Sequence, residues 1–171
     1  MRYYYDTEFF DNGKTVEPIS IGVVAEDGRE FYAVWDNALE VCRKDQWLWF
    51  NVAPHLPLHQ HDHPELDRDT GLIKSSFEIR DEIHEFLSYD DKPELWGWFV
   101  SYDHLVLSQL WGKMIDVPSP IPQFSNDIRS LVSWYGIKKY PTQTGGHHNA
   151  LADARHNKVV FDYIMKEIGN E

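Results

Sequence analysis

Arg2-Tyr3-Tyr4-Tyr5-Asp6-Thr7-Glu8-Phe9-Phe10 sets aromatic rings on both sides of two carboxylates. Aromatic enrichment with imperfect alternation predicts a strand over 2–10. The period of two along a strand turns Asp6 and Glu8 to the same face. Two anions on one wall, among rings where an unpaired charge is costly to bury, call for a cation between them. Acid pairs of this spacing also occur on solvated edge strands, so the rest of the chain has to decide between the two readings.

Working outward, Val16 to Ala25 predicts a second strand with Ile19, Ile21 and Val23 on one face. Asp27-Gly28 is the signal of a tight hairpin, and Glu30 to Trp35 returns as a third strand. An antiparallel meander therefore opens the fold. Residues 44–52 predict a short helix ended by Pro54, and 54–71, rich in Pro and His with no apolar period, an exposed loop. In 75–87 the period changes: Phe77, Ile79, Ile83, Phe86 and Leu87 make a helical stripe, and Ser75 with Glu78 offers a capping box. Residues 94–100 read as a buried strand, 103–111 as a helix stopped by Gly112, and Ile128, Leu131, Val132 and Tyr135 as a helix ending at Gly136. After a polar loop over 138–146 with a Gly145-Gly146 hinge, 149–168 is the final helix. Its buried side is read as Leu151, Val159, Phe161, Tyr163, Ile164 and Ile168. Strands first and helices interleaved later imply an α/β architecture.

The chain has 171 residues, 42% hydrophobic and 26% charged, the composition of one folded domain. No apolar run approaches the roughly 18 residues needed to cross a bilayer, and 2–10 reads as structure rather than as a leader. Cys42 stands alone, which suits a reducing compartment. The net charge of -12, from 28 acidic against 16 basic residues, argues against broad electrostatic capture of a nucleic-acid duplex. A phosphate-bearing ligand would need local help, which divalent cations on a carboxylate cluster supply.

Two further elements can extend the Asp6–Glu8 pair. Asp103 opens a helix after the apolar 94–100 segment, a position that also suits a helix cap. In His148-Asn149-Ala150-Leu151-Ala152-Asp153 a His precedes an Asp by five residues at the mouth of the last helix. Hard carboxylate oxygens select Mg²⁺ or Mn²⁺. An imidazole, ordinarily near pKa 6.5, takes a proton at neutral pH.

This ordered set resembles that of the DEDDh 3′-5′ exonucleases of the RNase H-like superfamily, and the likeness spans nearly the whole chain. Three stretches are most similar to the actinobacterial polyadenylate-specific exoribonucleases, the RNase AS group: Tyr5-Asp6-Thr7-Glu8-Phe9, the segment from Ile19 to Glu30, and Tyr102-Asp103-His104 followed by Gln109-Leu110-Trp111-Gly112. The resemblance implies an RNase H-like mixed sheet flanked by helices, in a single exonuclease domain over 1–171. It implies a 3′-5′ exoribonuclease acting on single-stranded RNA 3′ ends, with a preference for adenine-rich tails, as a cytoplasmic homodimer. Asp6, Glu8, Asp103 and Asp153 would hold two Mg²⁺ ions, replaceable by Mn²⁺, and His148 would be the general base. Many DEDDh enzymes carry an Asn four residues before the middle Asp, where this chain has Phe99.

A terminal base is expected to stack, with Phe9, Phe10, Tyr102 and nearby tryptophans as candidates, and Thr7 or the Glu8 backbone as partner of a 2′-hydroxyl. Lys113, Lys138 and Lys139 are the few cations near the later motifs. His59, His61 and His63 suggest a zinc cluster, but without a Cys pair or helical spacing a polar loop is the better reading. DNA or short-oligonucleotide trimming, and a catalytically silent RNA-binding module, stay open as alternatives.

Overall fold

The computed structural model describes residues 1–59 and 64–169. Its strands are β1 (Arg2–Asp11), β2 (Val16–Ala25), β3 (Glu30–Trp35), β4 (Ile73–Lys74), β5 (Glu94–Gly97) and β6 (Asn126–Asp127). They form one sheet in the order β4-β3-β2-β1-β5-β6. The meander β1-β2-β3 is antiparallel, while β4 joins β3 and β5 and β6 join β1 in parallel. The helices are α1 (Ala38–Cys42), α2 (Gln46–Asn51), α3 (Ser76–Leu87), α4 (Ser101–Gln109), α5 (Ile128–Trp134) and α6 (Ala150–Gly169). This is the mixed sheet flanked by helices that the sequence leads one to expect.

Burial on both faces explains why the sheet is central. On one face Tyr3, Tyr5, Ile21 and Val23 pack with Ile79, Ile83 and Leu87 of α3 and with Val106 and Leu107 of α4. On the other, Tyr4 meets Ile128 and Val132 of α5 and Val160, Phe161 and Ile164 of α6. Towards β3 that second face is covered by α1, α2 and the segment after them. The α3 capping box forms: Ser75 accepts from the Glu78 N–H, and the Glu78 carboxylate accepts from the Ser75 N–H.

Several expectations need correction. Ile19 joins Val34 in a different cluster from Ile21 and Val23, because Glu8 pairs with Ser20 and Phe9 with Pro18, leaving Ile19 as a bulge. The 94–100 segment is extended only to Gly97; Phe99 turns with φ +52° and is 65% exposed. In α3 the ring of Phe77 is exposed, and in α6 Val160, not Val159, is buried. The 44–52 helix is α2, followed by a 3₁₀ turn that includes Pro54, and α1 was not foreseen. The 54–71 stretch is not simply exposed, since Leu56 is buried and Leu58 and Leu66 bridge and pack on the core. Two of the three clustered histidines, His61 and His63, lie outside the described residues.

Gly22 lies opposite Asp6 in the β1–β2 register. A Cβ there would come within 2.4 Å of the backbone of Ala150 and Leu151, so the bare glycine is what lets the first turn of α6 rest on the sheet. Gly22→Ala is expected to cost about 1–3 kcal/mol, as overpacking does, and to push α6 off β2. Thermal denaturation checks this as a lowered midpoint.

Candidate active site

Asp6 and Glu8 alternate with Tyr5 and Thr7 along β1, so both carboxylates face α6. Asp153, in the first turns of α6, meets them there. One oxygen from each of Asp6, Glu8 and Asp153 lies within 4.8 Å of the others. Two bonds tie α6 to the sheet: Asn157, one helical turn after Asp153, donates its buried side-chain amide to the Tyr5 carbonyl at 3.0 Å, and Asn149, which caps the helix by accepting from the Ala152 N–H, donates its amide to the Tyr32 hydroxyl of β3 at 3.4 Å.

Asp103 reaches the group from the strand edge. β5 pairs with β1 only through Arg2 to Tyr4, which leaves later β1 backbone groups without a ladder partner on that side. Asp103 fills the gap: its Oδ1 accepts from the Thr7 N–H at 2.8 Å and from the Thr7 hydroxyl at 2.7 Å. It is the third residue of α4, whose cap position is Val100, so Asp103 is neither the start of that helix nor its cap. The helix starts early because the turn at Phe99 ends β5 sooner than its aromatic sequence suggests. An Asn tolerates such a left-handed backbone far better than a Phe does, and Phe99 bears that strain directly before the helix that carries Asp103.

Both oxygens of Asp153 are engaged. Oδ1 accepts from the Gln143 side-chain amide at 2.6 Å, and Oδ2 from the backbone N–H of His148 at 2.9 Å. His148 has φ +63° and its imidazole stands edge-on to Trp47 of α2, ring centres 4.8 Å apart. The ring of His148 thus rests on Trp47, while its backbone holds Asp153. His147, not His148, lines a cleft with Asp6 and Asp153.

Burial pushes Asp6 well above the ordinary carboxylate range, and the charges of Asp103, Glu8 and Asp153 add to the push. Burial likewise raises Glu8 to about 8, with Asp153 and Asp103 reinforcing it. In Asp103 burial outweighs the hydrogen bonds from Thr7 and leaves the group at about 6. Among the described residues no Lys or Arg forms an ion pair with any of the four acids. A like-charge cluster of hard oxygens with no protein cation suits one or more divalent metal ions.

Around the acids lie flat apolar surfaces. Phe9 and Tyr102 stack on each other, centres 5.5 Å apart and planes within 8°. Tyr102 is 47% exposed, whereas Thr7 is buried with its hydroxyl hydrogen committed to Asp103. Phe10 packs instead against the core cluster that α1 and α2 cover. Sequence reasoning did not single out Gln143, Asn157 or Trp47. Asn157 carried a signal, since residues four apart on a helix share a face; a glutamine in a polar loop and a tryptophan on a short helix carried none.

Residues 1–165 match the model of the 3′-5′ exoribonuclease Rv2179c-like domain. Two curated relatives from Mycobacterium tuberculosis, 3′-5′ exoribonuclease Rv2179c of strain H37Rv and 3′-5′ exoribonuclease MT2234.1 of strain CDC 1551, are each 43% identical over 157 residues, spanning 91% of this chain and 88% of theirs.

Proposed function

This chain belongs to the family of Rv2179c-like 3′-5′ exoribonuclease domains, and from that membership we propose a metal-dependent enzyme of DEDDh type that releases nucleotides from single-stranded RNA, adenine-rich 3′ ends first. The observation that carries the reading is the convergence of Asp6, Glu8 and Asp153, with Asp103 held beside them through Thr7, in a cluster without a protein counter-ion. The donor set fits two Mg²⁺ ions, with Mn²⁺ as substitute, held by Asp6, Glu8, Asp103 and Asp153. When bound, such ions supply positive charge against the scissile phosphate and the leaving oxygen.

The chain's own residues do the rest. Asp6 and Glu8 present their carboxylates from a strand paired with β2 and held by the Asn157 and Asp103 side chains at Tyr5 and Thr7, so the cluster is rigid before substrate arrives. His148 takes the proton of the attacking water: its imidazole rests on Trp47 one residue from the mouth of α6, and the Gly145-Gly146 hinge lets the loop carry it in. Phe9 and Tyr102 offer faces on which the terminal base stacks, purines best, with the Glu8 backbone nearby for the 2′-hydroxyl. The proposal extends to a cytoplasmic homodimer, in keeping with the family resemblance and with Cys42 as a buried free thiol. No helix among the described residues is long and apolar enough to cross a membrane.

The test is a product-resolved digestion of poly(A), poly(G), poly(U), poly(C) and poly(dA) at limiting enzyme, with and without Mg²⁺ or Mn²⁺. Mononucleotides released from the 3′ end only with metal, and fastest from poly(A), are expected. Equal rates on all RNAs would remove the adenine preference alone, and faster cleavage of poly(dA) would favour a DNA substrate.

A further inference from the structure

Asp6 and Asp153 form one margin of a cleft of about 370 Å³ that neither Glu8 nor His148 borders. Trp98, Tyr140, Pro141 and Val160 give it an aromatic and apolar side, and Thr142, Gln143, His147, His156 and Asn157 join the two acids as its polar lining. Trp98 and Tyr140 brace each other, centres 5.3 Å apart and planes tilted by 51°. They therefore make one continuous wall rather than two jaws. The volume is near the small end of ligand pockets, which run from about 300 Å³ upward, and suits a single base with its sugar.

Geometry of the reaction distinguishes what enters. Hydrolysis at a 3′ end leaves one nucleotide on each side of the scissile phosphate, so the two sit on opposite sides of the carboxylates. Phe9, stacked on Tyr102, packs against the core cluster on the sheet face turned to α3 and α4, whereas the cleft is lined by Asp153, His156, Asn157 and Val160 of α6 on the opposite face. Immediately before Tyr140 the chain carries Lys138 and Lys139, both exposed, neither in an ion pair with the described residues. A terminal nucleotide has no phosphate beyond it on its 3′ side, whereas the upstream strand has one per residue. Cations that continue past an aromatic wall fit the strand that continues.

We propose that this cleft is the subsite for the nucleotide immediately 5′ of the scissile bond, its base stacked on the Trp98–Tyr140 wall, with Lys138 and Lys139 meeting the phosphates upstream. The subsite rests on the exoribonuclease reading and adds to it a requirement for a single strand longer than one nucleotide. An aromatic wall also explains how an acidic protein holds RNA, because stacking needs no net positive field.

Binding of AMP and of phosphorothioate-linked oligoadenylates of two and five nucleotides, measured by calorimetry in calcium buffer, tests this apart from turnover. Tyr140→Ala is expected to leave AMP affinity unchanged and to weaken both oligomers about tenfold, the scale of losing one base–aromatic stack. Lys138→Gln with Lys139→Gln should spare AMP and the dinucleotide and weaken the pentanucleotide. Its log–log salt slope should fall by about 1.4, two single-strand phosphate contacts at about 0.7 each. Equal loss of AMP and oligomer affinity in a folded Tyr140→Ala protein would place the terminal base in the cleft and overturn the proposal, as would unchanged oligomer binding in both variants. Should Tyr140→Ala fail to fold, the exposed lysine pair decides alone. A wild-type protein that binds neither AMP nor oligomer would instead defeat the exoribonuclease reading beneath it.

Discussion

Asp6→Asn is expected to abolish turnover and, in metal-free protein, to raise stability. Loss of one preorganised group that stabilises transition-state charge typically costs about 10²–10³ in rate, and Asp6 is placed to cost more, because its carboxylate feels Asp103, Glu8 and Asp153 together. The stability gain has the opposite sign for the same reason. A carboxyl whose pKa is higher in the folded than in the unfolded chain opposes folding once it ionises. The penalty is absent below the unfolded value near 4, grows as pH climbs, and levels off above the folded value, which is about 8 for Glu8 and about 6 for Asp103. Metal-free wild type should therefore be less stable at pH 8 than at pH 5, by an amount on the order of a few kcal/mol. Asp6→Asn should shrink that difference by removing a charge from the group. Urea denaturation of chelator-treated protein at the two pH values measures it. Mg²⁺ should stabilise the wild type at pH 8 and the variant much less. A variant that binds metal and turns over like wild type would remove Asp6 from the active site.

What the sequence made legible follows from the range of the interactions involved. The meander was readable because the Asp27-Gly28 turn and the apolar run on either side of it are local, and the shared face of Asp6 and Glu8 follows from the strand period alone. Trp98 and Phe99 misled because ring-rich sequence favours strands, while the last β1–β5 pair is Tyr4 with Trp96 and the chain turns at Phe99. The short α1 has Ala38, Leu39, Val41 and Cys42 all buried, so it shows no polar stripe by which to recognise it. Around the acids the positions of Asp6, Glu8 and Asp153 were legible, but their attachments were not. The bond from Thr7 to Asp103 spans 96 residues, and that from Asn157 to Tyr5 spans 152. Such bonds exist only once the sheet edge and α6 are in place.

His148→Ala is expected to lower turnover by about 10²–10⁴, the range for a positioned general base, while leaving metal binding and RNA affinity nearly unchanged. Metal binding is spared because the contact between this residue and Asp153 is made by the His148 backbone N–H, which alanine keeps. The ring instead meets Trp47, so its removal frees an indole face without opening the carboxylate cluster. Some local relaxation is also expected, since φ +63° is no easier for alanine than for histidine; a His148→Gly variant, free of that strain, separates backbone from ring. If both variants lose the same rate and both lose the acidic limb of the pH–rate profile, the imidazole is what moves the proton. His147→Ala is the control that decides between neighbours: His147 borders the cleft beside Asp6 and Asp153 while His148 does not, so proximity alone would favour His147. A larger loss from His147→Ala than from His148→Ala would mean that the ring already beside the acids is the base, and that the five-residue spacing of His148 to Asp153 serves only to orient the carboxylate through its backbone.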